Sequence, residues 1–298
     1  MSAHQIGVDV PTVLLPVASI DPATWAVIAC DQFTSEPEYW QRVDEIVGDA
    51  PSTLRMILPE LYLTASDVEE RIAKAQASMR SYLDAGYLAA QDAFVYVERT
   101  VGGKTQKGLI VALDLETYDY NKGSQTLVRA TEGTVLDRLP PRMKVRRGAP
   151  LELPHILVLY DDPAGDVLAG VRANLSSLKV AYDVELMEGS GHLTGRFVSD
   201  PALVKGITDA LASLISPEAY AAKYDLASDS PLLFAMGDGN HSLATAKAIW
   251  TELKAAGASD DHPARHALVE LVNLHDDSLI FEPIHRVLFD GDTVVDDL

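Results

Sequence analysis

The chain has 298 residues, 47% of them hydrophobic, and 44 acidic against 24 basic side chains give a formal charge of −20. That length suits one large or two modest domains with a sizeable core, and a field of that sign disfavours nucleic acid and anionic membrane as partners. A single cysteine, Cys30, excludes an intramolecular disulfide and a cysteine-rich zinc site. The first residues lack a signal-peptide pattern and no apolar run reaches the roughly 18 residues of a bilayer span, so the expected location is cytoplasmic.

The apolar run Ala26–Ala29 reads as a strand, with Cys30-Asp31-Gln32 at its C-terminal end, where a ligand crevice often lies. Ser35 and Glu38 have capping-box spacing, and Tyr39, Val43, Ile46 and Val47 follow at helical intervals. Ser66 and Glu69 repeat the device before Ile72, Ala75, Met79 and Leu83, and Gly86 closes that helix. Ala93–Thr100 and Thr105–Asp114 read as a hairpin around Gly102-Gly103. Residues 115–154 are polar, carry Pro140-Pro141 and lack clear periodicity, which predicts a long ordered loop. His155–Tyr160 is a predicted strand and 164–178 a predicted helix. Asp183–Met187 and Leu193–Ser199 are strands joined by Gly189-Ser190-Gly191-His192, and Asp200 caps a helix to about Ile215. A strand at Leu232–Met236, a helix at Leu243–Ala256 and strands at Ala267–Asn273 and Ile284–Phe289 complete the reading. Strands and helices mix without regular alternation, so the expected class is α+β, a mixed sheet with flanking helices. We read 1–298 as one unit, with 1–115 and 116–298 as the alternative pair of subdomains. The chain stops soon after an apolar strand and reads as lacking a C-terminal portion.

Gly237-Asp238-Gly239-Asn240-His241-Ser242 is the most informative stretch. Its glycines permit a tight strand-to-helix turn, and the following helix start offers free N–H groups and a positive dipole end to an anion. In the functional reading, these N–H groups hold a phosphate, Asp238 holds a metal ion or acts as a base, and His241 touches phosphate or substrate. In the plainer one, Asp238-Gly239 turns the chain, Asn240 caps the helix and His241 lies on the surface. Arg129, Arg138, Arg142, Lys144, Arg146 and Arg147 concentrate basic charge in an acidic chain beside Thr131-Glu132-Gly133-Thr134. Arginine forks suit phosphates and carboxylates; alternatively these side chains pair with the chain's own acids. If 142–146 were a strand, Arg142, Lys144 and Arg146 would face one way. His275-Asp276-Asp277 and Glu282-Pro283-Ile284-His285-Arg286 are a further polar set, and Asp31 is a better candidate than Cys30, which reads as a buried, inert thiol. Walker A, HExxH and GxSxG sequences do not occur.

Ala29–Ser35, Thr131–Thr134, Leu151-Glu152-Leu153-Pro154-His155, Gly237–His241 and Phe281–Arg286 occur in one order that resembles the domain-of-unknown-function family 1015, across about residues 25 to 290. The glycine junction is also similar to the Asp-Gly-His-His-Arg element of the ParB/sulfiredoxin-like fold, which implies such a core. That superfamily includes nucleotide-binding partition proteins, sulfiredoxin and free-serine kinases, and the element sets a helix N-terminus on phosphates. Asp238, Gly239 and His241 match it; Asn240 stands for the first histidine and Ser242 for the arginine, so one phosphate contact is lost.

The resemblance implies a small-molecule kinase acting on a hydroxyl, with free L-serine as the acceptor, Mg²⁺, and a nucleotide (ATP or ADP) or pyrophosphate as donor. Asp238 is then metal ligand or base, His241 a phosphate contact and Asp31 a second candidate base. Gly237, Gly239, Asn240 and Ser242 form the phosphate cradle, Arg142 and Arg146 clamp it, and His285 and Arg286 line it. The alternative is a non-catalytic regulator that binds a nucleotide or phosphometabolite in the same pocket.

Overall fold

The protein is described here by a computed structural model covering residues 6–225 and 230–280. The expected strand at Ile284–Phe289, with His285 and Arg286, lies outside the described residues. The strands are β1 (Val8–Asp9), β2 (Thr12–Pro16), β3 (Leu88–Asp92), β4 (Phe94–Val101), β5 (Lys104–Asp114), β6 (Tyr118–Asp119), β7 (Val128–Arg129), β8 (Leu157–Tyr160), β9 (Val180–Glu185), β10 (His192–Val198), β11 (Phe234–Asp238) and β12 (His266–Asn273). The helices are α1 (Pro22–Trp25), α2 (Pro37–Val47), α3 (Val68–Asp84), α4 (Leu139–Arg146), α5 (Ala169–Ala173), α6 (Pro201–Leu214), α7 (Pro217–Tyr224) and α8 (Asn240–Ala255). The class is α+β, as expected.

Among the described residues ten strands form one mixed sheet in the order β6-β7-β11-β8-β12-β5-β4-β10-β9, with β1 added to β5. β2 and β3 pair separately as an antiparallel ribbon. The sheet takes strands from both sides of residue 115. β8 runs parallel to β12 and antiparallel to β11, and that last pairing fixes the site: the C-terminal end of β11 adjoins the N-terminal end of β8. The main core joins Tyr96, Leu109, Val158, Phe234 and Leu271 of the sheet to Leu211 of α6 and Leu243 and Trp250 of α8. Two smaller clusters, Ile20, Trp25, Met56 and Met79, and Tyr39, Trp40, Val43 and Val47, build a helical shelf from α1, α2 and α3.

Local chemistry accounts for several helix ends. The Asp200 carboxylate accepts from the N–H groups of Ala202 and Leu203, and Pro201 opens α6, as expected. The capping boxes do not form. Pro37 takes the first helical position of α2, so Glu36 is the flanking residue and Ser35 lies outside the turn. Likewise Asp67, not Ser66, flanks α3, and neither helix has a side-chain cap bond.

Three expected elements differ. Ala26–Ala29 is not a strand: Asp21 caps the one-turn helix α1, and the Ala26 N–H ends it on the Pro22 carbonyl. The 115–154 stretch holds β6, β7 and α4, because Pro140-Pro141 fall in the first turn of α4, where a missing N–H costs nothing. Arg142 and Arg146 therefore share a face as helical i,i+4 neighbours rather than as alternate strand residues. In 164–178 only α5 and a 3-10 turn at Leu175–Ser177 are helical, since the Asp162 carboxylate accepts from Gly165 and Val167 N–H and holds a loop there.

Candidate functional site

Gly239 is the hinge of the junction. Its φ is +75°, so it turns β11 into α8, which begins at Asn240 instead of Leu243. A Cβ on Gly239 would stand 3.1 Å from Ile156 Cα and 3.3 Å from the His155 carbonyl oxygen. Strand pairing explains this closeness: Asp238 lies opposite Leu157 across an irregular step, so His155, two residues before β8, arrives beside the turn.

The Thr131–Thr134 segment wraps the same helix start. Thr131 Oγ1 donates to the Met236 carbonyl at 2.9 Å, and Asn240 Nδ2 donates to Thr134 Oγ1 at 3.2 Å. Tyr118 donates its hydroxyl to Asn240 Oδ1 at 3.4 Å. Asn240 is thus buried and does not act as the helix cap. Its side chain is taken up inside, leaving its backbone N–H as the group to offer an anion. Gly237 and Asp238 are exposed. Asp238 Oδ1 accepts the Gly239 N–H at 2.7 Å. His241 Nε2 accepts the Val135 N–H at 3.3 Å.

On the inner side of α8, Asp31 Oδ2 lies 3.0 Å from His155 Nε2. Cys30 Sγ stands 3.9 Å from the other ring nitrogen, and Ser242 Oγ lies 3.5 Å from Nε2. The Cys30–Asp31 turn is fixed from behind: Gln32 N–H donates to Ala29 O, and Glu60 N–H donates to Cys30 O at 2.7 Å. Phe33 adopts φ of 52° and stacks on Tyr39 with ring centres 3.9 Å apart, anchoring the turn to α2. Asp31 Oδ1 is buried and has no hydrogen-bond partner among the described residues.

The two histidines are held in opposite states. Burial alone would depress His155, but its bond to Asp31, the neighbouring Cys30 sulfur and the Asp31 charge outweigh it and raise the imidazole to about 10. Asp31 is opposed by burial and nevertheless lowered by His155. His241 is lowered, first by burial and then by Arg142 and Arg138, against Glu132.

The basic cluster disperses. Arg129 braces the Thr126 and Ser230 carbonyls. Lys144 pairs with Glu69, and Arg147 with Glu252 of α8. Arg142 and Arg146 face inward, paired with Glu60 and Glu152. Together with Cys30, His155, Ser242 and apolar side chains they line a cavity of about 150 Å³ between α4, the shelf and the start of α8. His275 lies elsewhere, 2.7 Å from Asp161, and His192 sits between Asp183 and Glu185 on the β9–β10 hairpin. No group of three or more His, Cys, Asp or Glu side chains suited to a metal occurs among the described residues.

Asp31, the glycine junction, Arg142 and Arg146 thus meet around one helix start. His155, Glu60 and Glu152 complete the site. The Leu151–His155 run signalled His155 and Glu152 only as part of a motif; nothing local marked Glu60.

Over residues 14–297 the chain matches the family described as protein of unknown function (DUF1015), and it belongs to that family. No curated protein and no solved structure gives a match. No helix among the described residues is long and apolar enough to cross a membrane.

Proposed function

We propose that the protein is a phosphotransferase that moves a phosphoryl group to the hydroxyl of a small molecule, free L-serine first among acceptors, with ATP, ADP or pyrophosphate as donor. The observation that carries this reading is the meeting, at the start of α8, of an exposed glycine turn with the Asp31–His155 pair and Arg142. Phosphoryl transfer asks a protein for positioning and charge neutralisation. First-turn N–H groups of a helix have no intrahelical acceptors and suit phosphate oxygens. In this reading the element works as it does in ParB/sulfiredoxin-like proteins, with the charged His155 and Arg142 replacing the arginine absent at Ser242.

Asp238 is a single exposed carboxylate, which fits Mg²⁺: that ion keeps several waters and binds through one or two carboxylates plus substrate phosphates. When bound, it would neutralise donor phosphate charge. Asp31 orients the acceptor hydroxyl through Oδ1. As the new oxygen–phosphorus bond forms and the bond to the donor's leaving group breaks, the hydroxyl proton passes to Asp31. His155, a cation at neutral pH, is not the base; it holds Asp31 and adds positive charge. His241, neutral at its lowered pKa, contacts the phosphate at the outer edge.

Phosphorus NMR on the protein with L-serine, Mg²⁺ and, separately, ATP, ADP and pyrophosphate tests the reading. Phosphoserine is expected with at least one donor, and its absence with all three overturns the serine assignment. Asp238→Asn separates the kinase from a non-catalytic regulator. A kinase loses turnover and keeps part of its donor affinity, whereas a regulator loses affinity with no turnover to lose.

A further inference from the structure

The cavity beside His155 is about 150 Å³. A space of that size encloses a benzene-sized group, on the order of ten non-hydrogen atoms, and does not enclose a whole nucleotide. Much of its lining is an apolar wall, with Met56, Leu58, Met79, Val145, Leu151 and Leu153. Arg146 also lines it, with its side chain 16% exposed. Glu152 is its one hydrogen-bond partner among the described residues. A guanidinium has five N–H donors in a fork matched to a carboxylate. Holding it beside an apolar wall with donors left over is costly unless a guest supplies acceptors. Burial pushes it down to about 10, still charged at neutral pH.

We propose that this cavity is the acceptor subsite and selects small hydroxy amino acids, with the carboxylate on Arg146, the ammonium on Glu152, the carbon chain on the apolar wall and the hydroxyl toward His155 and Asp31. The inference rests on the phosphotransferase reading for the word acceptor, and it assigns the donor to the exposed glycine turn outside the cavity. Each methylene added against the apolar wall tightens binding about fourfold, so L-threonine binds more tightly than L-serine.

Calorimetric titration of the whole chain, with no donor present, tests the subsite directly. L-serine and L-threonine are expected to bind in that rising order. L-serinamide, which lacks the carboxylate, binds at least tenfold more weakly. Arg146→Gln weakens L-threonine at least tenfold and leaves pyrophosphate affinity within twofold. Equal binding of serine and serinamide, no binding of either amino acid at millimolar concentration, or an Arg146→Gln protein that binds L-threonine normally overturns the proposal. The serine–serinamide comparison needs no variant and stands even if Arg146→Gln does not fold. Amino acid binding without phosphoryl transfer from any donor sinks the phosphotransferase reading and keeps the subsite. Transfer indifferent to Arg146 and to the carboxylate does the reverse.

Discussion

His155 and His241 flank the same helix start, one held as a cation and the other neutral. His155 sits on the inner side with a carboxylate on one ring nitrogen and the Cys30 sulfur near the other, and together they reverse the effect of burial. His241 sits on the outer side, where burial and two arginines act together and nothing of comparable strength opposes them. Burial has the same sign at both rings; the partners around each ring decide the outcome. The helix start thus has a cationic inner side and a neutral outer side that can still accept a proton.

The largest way to break this contrast is Asp31→Asn. It removes the charge that holds His155 protonated, and turnover in the phosphotransfer assay is expected to fall about 100-fold or more. Proton NMR of the histidine ring signals checks the cause without relying on activity. In the native protein His155 does not titrate between pH 5 and 8; in the variant it titrates near or below its ordinary value. An unchanged titration would mean that Asp31 is not its controlling partner.

Next in size is Gly239→Ala, which leaves both rings intact and moves the backbone between them. A positive φ and a Cβ pressed on the Ile156 backbone are expected to cost about 2 kcal/mol or more, read by urea unfolding. Wild-type stability would show that the β11–α8 turn relaxes freely.

A smaller effect comes from pH. The folded His155 is raised from 6.5 to about 10, so its contribution is complete below pH 6.5 and fades as pH rises through 10. Asp31 is lowered, so its contribution is present above its unfolded value and is lost in acid. Melting temperatures of wild type and His155→Gln are therefore expected to differ most near pH 6 and to converge above pH 10. The smallest test is Arg142→Gln, which removes one of two arginines depressing His241. The His241 imidazole should then titrate at a higher pH than in the native protein, while His155 stays charged. An unchanged His241 titration would show that Arg142 does not depress it.

How much of this was legible in the sequence follows the range of the forces. The 93–114 hairpin, the Asp200 cap and the Gly237–Ser242 turn are set by residues a few positions apart, and each appears close to where it was expected. Pro140-Pro141 misled because proline both breaks and starts helices, and only a helical α4 reveals Arg142 and Arg146 as neighbours. Cys30 and His155 are 125 residues apart and meet through strand register and the Glu60 tether, neither of which leaves a local trace. In the sequence Asp31 reads as the end of a strand; it reaches the site on a turn instead. The acids that pair with the inner arginines, Glu60 and Glu152, are ordinary in a chain with 44 of them.

Cys30 is the one sulfhydryl in the sequence and is half-buried on the cavity wall. The native chain therefore comes with a ready-made tether: a fragment library bearing disulfides can be captured at this position without removing competing cysteines first. Intact-mass measurement would report each adduct, and the fragments retained would map which guest shapes the neighbouring wall accepts.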